Sequence, residues 1–486
     1  MALRPPHGAR DYNHGINVFG DHLSSYTLAL APFVRIFDSI YVLYIMQAIW
    51  LGLGAIPVFL LARVKLQSTP AALIFGLIYL LFPALQNMNL ENFHPETAVL
   101  VMVLFALYFL EQRNWKCYLL FSFLACIGKE DVALSFVPVG LYVAVWLREW
   151  KWGLLGSGLA LSWFFLGTQV LMPFFLGLST SDARPMVFSH WFGGAPAWKY
   201  PIIFLSRFWD PEALKYFYQL CIPVAMLNLL SPRAVLFLAV PFGINAVSGV
   251  YYFRSINYHY NYVTTAFVFY GAILGSASIV RWLPFRKLRI PALGIILVAT
   301  LSATLIANSH WSFLPFHRHF EVINAEYQYL VVNRVLPQKQ LVAQVPEAAS
   351  VSSPHYLVPH LSHRRETYMF PNPFRLVIWN QHFQAGKNPR LSGKDLDYLV
   401  LSMTDRQEGS DKFIHDYLFN SIAFEKIREF GGLVLLRSRR AREEFGVNGE
   451  VWAGKQKFPA RVSSLFFPES NFYASSGKSV GELRLG

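Results

Sequence analysis

The sequence predicts an all-α polytopic membrane bundle followed by a small α/β unit, and three observations carry that expectation. Charged residues make up only 15% of the 486-residue chain against 54% hydrophobic, where a soluble domain carries about 25% charged. The apolar residues come in blocks. Between Ser39 and Asn308 roughly ten segments of about 14 to 26 residues are nearly free of charge, and about 20 apolar residues cross a bilayer as a helix. After Asn308 the pattern changes to short apolar runs separated by polar stretches.

The expected spans are 39–63, 70–90, 95–110, 115–128, 131–147, 152–177, 215–231, 233–249, 262–280 and 290–308. The loops between them alternate in kind. RVKLQS (63–68), EQRNWK (111–116), LREWK (147–151), SPR (231–233) and RWLPFRKLR (281–289) are short and basic. ENFHPE, GKED, the long 178–214 loop and GVYYFRSINYHYN (249–261) carry acids, histidines and aromatics. The positive-inside rule assigns the basic set to the cytoplasm. Residues 1–38 and everything beyond 308 are then extracytoplasmic. This arrangement also accounts for the net charge of +13, so the charge is topological and no nucleic-acid partner is expected. SSYTLALAPFVRIF (24–37) is too short to span and is expected to lie in the interface.

Beyond 308, LVAQV (341–345), LDYLVLSM (396–403) and GGLVLLRS (431–438) read as strands, and FEVINAEYQYLVVNRV (320–335) as an amphipathic helix. The domain expectation is therefore an N-terminal segment at 1–38, a transmembrane domain at 39–308, an extracytoplasmic α/β domain at 309–440 and a disordered tail at 441–486. Cys117, Cys126 and Cys221 all fall in apolar segments, which implies no disulfide framework and no paired-thiol metal motif.

Every polar cluster that looks chemical falls on the outer set of loops: Asp21-His22, Glu91/His94/Glu96, Lys129-Glu130-Asp131, Arg254 and His259-Tyr260. In HPET, Pro95 suits a first helical turn with His94 as its N-cap, a terminus able to receive phosphate. The bland alternative is a wetted hairpin tip. From Trp115 to Leu147 there are 33 residues, fewer than the about 40 that two full spans need. The turn holding Lys129, Glu130 and Asp131 is therefore expected below the outer surface, where charges are paired or functional. His355, His360, His363 and His382 do not have a recognised zinc spacing and read as surface residues. No phosphate-cradling glycine loop, nucleophile elbow or nucleotide motif occurs in the sequence, which argues against chemistry driven directly by ATP.

FGDHLSS with ALAPF, NFHPETAVL, GKEDVAL, NYHYNYVTTAF and VSSPHYLVPHLSHRRETYMFPNP together resemble a bacterial family of polytopic membrane proteins, domain of unknown function number 2079, over about residues 16–440. That family is similar to the C-type glycosyltransferases, which take a sugar from a polyprenyl-phosphate carrier at the outer face of the plasma membrane. The resemblance implies that fold and that activity. It places Asp21-His22 where such enzymes keep the acid that acts as base. Members usually begin with an additional span and an acidic loop motif, so either a truncated reading frame or an atypical N-terminus is expected here, with the base of that motif in question.

The resulting site expectation has Asp21, Glu130 and Asp131 as catalytic acids. His22, His94, Lys129, Arg254, His259 and Tyr260 would bind substrate or phosphate, and a divalent ion would rest on Glu91 and His94. The aromatic loop 178–214 would receive sugar or acceptor. The rival classes are an ion- or proton-coupled transporter or flippase and a non-catalytic envelope assembly protein.

Overall fold

The computed structural model describes residues 10–11, 16–37, 39, 41–176, 192, 195–312, 335–361, 364, 366–374, 377–378, 381–382, 396–403, 416 and 418–441. The expected helix at 320–335 and the tail at 441–486 lie almost wholly outside them. The described chain is mostly helical with a small C-terminal sheet. Among the described residues four helices are long and apolar enough to cross a membrane: Tyr41–Leu66, Trp150–Phe175, His259–Trp282 and Arg286–Trp311. Thr69–Leu80 and Pro83–Glu91, bent by 41°, make a fifth if taken as one span. Shorter apolar helices occupy Trp115–Gly128, Val132–Val145 and Pro232–Val247.

Local chemistry sets these boundaries. Ser68 caps the helix beginning at Thr69 by accepting the Ala71 N–H at 3.3 Å, and Asn114 caps Trp115–Gly128 by accepting the Cys117 N–H at 3.2 Å. The 41° bend falls at Pro83, which has no N–H to continue the ladder. Asn308 donates to the Leu81 carbonyl near that break at 2.9 Å, which gives this acceptor a partner within the apolar interior.

The helix Tyr262–Trp282 is the hub, buried from Tyr262 to Ala277. It packs on Ala55–Leu66, Val99–Glu111, Pro232–Val247 and the turn at Leu227–Leu230. Phe269 receives Tyr79 and Phe82 edge-on, with ring centroids 5.3 and 5.1 Å away. The expected span 215–231 is corrected here. Its helix runs from Pro211 to Cys221 and then breaks into 3-10 turns, with Ala225 and Met226 in left-handed conformation. Pro223 cannot extend the helix, and the following turn lies against the hub. A Cβ on Gly275 would stand 1.9 Å from the Leu227 carbonyl oxygen, and one on Gly271 2.9 Å from that of Asn228. The loop expected over 178–214 is also corrected in part, since Tyr200–Phe208 is helical.

The C-terminal unit is a five-stranded mixed sheet in the order 367–369, 351–353, 398–402, 433–438, 424–430. The strands at 398–402 and 433–438 were legible as uninterrupted apolar runs. LVAQV was not a strand. Pro337 opens the helix Leu336–Val342, which buries Leu341 and Val342 beneath the sheet with Val351, Val400, Leu433 and Leu435. Asp397 accepts the Ser350 N–H at 2.9 Å and meets Arg440 at 2.8 Å.

Gly275→Ala should lower stability by about 1–3 kcal/mol, because a backbone oxygen cannot rotate out of the way. Gly294→Ala, with nothing within 4 Å of the added carbon, should be neutral or slightly stabilising. Thermal unfolding of the two variants in detergent reads the difference.

Candidate functional site

The turn after Trp115–Gly128 carries Lys129, Glu130 and Asp131 directly into Val132–Val145. Lys129 and Glu130 are buried, at 3% and 5% exposure. The N-terminal segment lies over this turn. Ser25 donates its N–H to the Ile127 carbonyl at 3.1 Å, and the Tyr26 hydroxyl donates to Leu124 at 2.7 Å. Glu130 then accepts the Leu23 N–H at 3.1 Å and a ring N–H of His22 at 3.2 Å. Burial alone would raise the Glu130 pKa. The His22 hydrogen bond and charge, with Lys129 beside it, outweigh that and hold the carboxyl below its usual range. Gly128 makes the close approach feasible, since a Cβ there would lie 2.3 Å from Val99. The π-helical turn Gly167–Leu171 packs against the same place, with Gly167 facing Leu23 and the Glu130 side chain.

A second group converges from other segments. His259 donates its backbone N–H to Glu91 at 2.6 Å and its ring Nδ1 lies 3.0 Å from the same carboxylate. The rings of His94 and His259 stack 3.4 Å apart at 18°. Glu96 Oε1 stands 3.9 Å from a ring nitrogen of each. The two groups are continuous. Glu96 is within electrostatic reach of Lys129, His259, His94 and His22, and the Lys129 ammonium lies 5.3 Å from the Tyr260 ring, whose neighbour is His259.

The expected residues fall out as follows. His22, Glu91, His94, Lys129, Glu130, Asp131, His259 and Tyr260 belong to one contiguous cluster. Asp21 ends the helical turn Val18–Asp21, and its side chain lies outside the described residues. Arg254 is paired with Asp210 at 2.7 Å. That aspartate caps the helix starting at Pro211, and its carboxyl is lowered by the Glu212 N–H and then by Arg254. The Pro95 terminus is a 3-10 turn, and His94 caps it with backbone geometry but no side-chain bond. Glu96 already supplies negative charge in that turn, which disfavours a second anion at the terminus. Asp131 Oδ1 is buried without a hydrogen-bond partner. Beside it is a small cavity lined also by Ser135, Asn245, Tyr260 and Tyr262. Of the aromatic stretch 178–214, residues 178–191 lie outside the described residues.

Sequence reasoning missed Gln47, the lone amide in YVLYIMQAIWL. Fully buried, it accepts the His94 N–H at 2.8 Å and donates to the Asn92 carbonyl at 2.8 Å. Thr97 adds a bond to the His94 carbonyl at 2.7 Å and receives the Trp50 indole N–H at 2.9 Å. Also missed was Glu111, at the far end of the helix that Glu96 precedes, roughly 20 Å away by helical rise. It pairs with Lys65, with Arg233 at 2.8 Å, and accepts the Tyr270 hydroxyl at 2.6 Å. Three of the basic loops therefore meet at one end of the bundle, and the acid- and histidine-bearing loops at the other.

Glu130→Ala should cost about 1–3 kcal/mol, because it leaves the buried Leu23 N–H without its acceptor and removes a His22 hydrogen bond. Glu212→Ala, which removes an exposed pair with Lys215, should change stability by about 1 kcal/mol or less. Unfolding midpoints of the two variants in the same detergent check the contrast.

Residues 5–420 match the model of a family described as predicted membrane protein, DUF2079. Comparison with curated proteins gives no match.

Proposed function

From the premise that the chain belongs to the DUF2079 family of predicted membrane proteins, we propose a glycosyltransferase that moves a sugar from a polyprenyl-phosphate carrier to a hydroxyl acceptor. The observation supporting it is the buried lysine beside an unpartnered carboxylate oxygen at one end of an apolar bundle, where a lipid-borne phosphate would arrive laterally. Asp131 is the better base. Glu130 spends both oxygens on Leu23 and His22, which stabilises its carboxylate and weakens it as a proton acceptor. Asp131 takes the acceptor proton while the acceptor oxygen bonds to the anomeric carbon. The bond from that carbon to the phosphate oxygen breaks, and its electron pair leaves with polyprenyl phosphate. Lys129 balances the charge that develops there. Glu130 and His22 position the turn, and His94, His259 and Tyr260 line the sugar side. Arg254, held by Asp210, faces the headgroup, and Asp21 lies beside His22 in sequence.

On this reading the spans lie in the bacterial plasma membrane. The basic loops face the cytoplasm, and residues 309–440 form an extracytoplasmic domain that, with the aromatic stretch 178–214, receives the acceptor.

Deleting the gene should make a polyprenyl-phosphate-linked sugar accumulate and remove the glycan it supplies, as read by mass spectrometry of lipid extracts and envelope glycans. Asp131→Asn, at unchanged membrane abundance, should reproduce that profile with transfer slowed about 10²–10⁴-fold. Unchanged glycans in the deletion strain would sink the enzyme reading. Ion-coupled flux in proteoliposomes without need of a lipid-linked donor would establish the transporter class instead.

A further inference from the structure

The geometry points to a divalent transition-metal site of the zinc class, built from Glu91, His94 and His259 and leaving one coordination position open. One ligand atom from each residue lies within 4.8 Å of the others. Glu91 Oε1 is 3.7 Å from His94 Nε2, and Glu91 Oε2 is 3.0 Å from His259 Nδ1. Ligands about 2.0–2.1 Å from a tetrahedral zinc stand about 3.3–3.5 Å apart, so an entering ion would draw the three donor atoms together from separations of at most 4.8 Å and turn the stacked rings toward itself. Two imidazoles and one carboxylate are a donor set that zinc accepts while keeping a fourth position for water or substrate.

Three further features point to a cation. His94 Nε2 is buried without a hydrogen-bond partner, although a ring nitrogen at that depth ordinarily has one. Glu96 stands 3.9 Å from His94 Nδ1 and 3.9 Å from His259 Nε2, the ring nitrogens facing away from Glu91. That is where a supporting carboxylate orients a ligating imidazole. The charge also asks for one. Three carboxylates, Glu96, Glu130 and Asp131, act on the Lys129 ammonium, and Glu91 adds a fourth beside the two histidines. Gln47 fixes the His94 backbone at 2.8 Å, so the site is held by the fold before any ion enters. The inference holds whether or not the chain transfers a sugar, because it concerns ion binding alone.

The full chain, purified in detergent, stripped with a chelator and titrated with Zn²⁺ or Co²⁺, should take up one ion per chain. It should show the visible absorption of tetrahedral Co²⁺. His94→Gln, Glu91→Gln and His259→Gln should each abolish that band, with helical circular dichroism confirming that the variants remain folded. Glu96→Gln should keep the stoichiometry and weaken affinity about 10–100-fold. His360→Ala, an exposed histidine of the C-terminal unit, should bind as the parent does. Absence of Co²⁺ binding by the parent chain would overturn the site, as would full stoichiometry in a folded variant lacking both histidines.

Discussion

Charge inside an apolar bundle has to be neutralised by groups the fold itself brings, because the surroundings supply neither water nor counterions. Both ends of this bundle answer that constraint with side chains distant in sequence. Glu130 draws in His22 and the Leu23 N–H from the N-terminal segment. Glu111 draws in Lys65, Arg233 and Tyr270 from three other helices. Each carboxylate is therefore an assembly point, and the segments it recruits are the ones whose relative placement shapes the bundle.

Between the two ends runs the hub helix, which gives the arrangement its stiffness. An apolar stretch of 18 residues in His259–Trp282 is 83% buried, against 28% and 22% for the corresponding stretches of Trp150–Phe175 and Arg286–Trp311. The latter two present Phe165, Ile290, Ile295 and Val298 outward, as helices facing lipid do. A tight hub and loosely covered outer helices explain why glycine sits where it does. Gly271 and Gly275 admit a turn against the hub, Gly128 admits Val99 and Tyr26 under the charged turn, and the outer Gly294 touches nothing.

Positioning of the acid–histidine cluster is likewise built in below the surface. Gln47, Thr97 and Trp50 form a chain of hydrogen bonds that holds the backbone at His94. His259 is fixed through its own N–H as well as its ring. Such support places imidazoles and carboxylates at set separations without a ligand, which is the condition for selective binding of an ion or a phosphate. In the proposed reaction the same rigidity separates the roles of neighbours in one turn. Glu130 has a donor on each oxygen, and Asp131, which lines a small cavity, keeps an oxygen without a hydrogen-bond partner.

The family was legible through its resemblance in motifs such as NFHPETAVL and GKEDVAL, and the helical class because long apolar blocks and short basic loops have no soluble counterpart. Glu91, His94, Lys129, Glu130 and His259 were recognisable as misfits in those blocks. The short helices were legible in position, but length and composition qualify only four or five as crossing segments by themselves. The break after Cys221 and the end of a helix within LVAQV escaped because an apolar run has no period that separates strand, helix and turn. Gln47 and Glu111 escaped for a related reason. A single polar residue in a greasy helix gives no sign of its partner, and the partner is set by which helix faces pack together. The sequence by itself determined which residues had to leave lipid or find company. Only the tertiary structure decided which of them met, because a buried charge is satisfied by neighbours in space rather than along the chain.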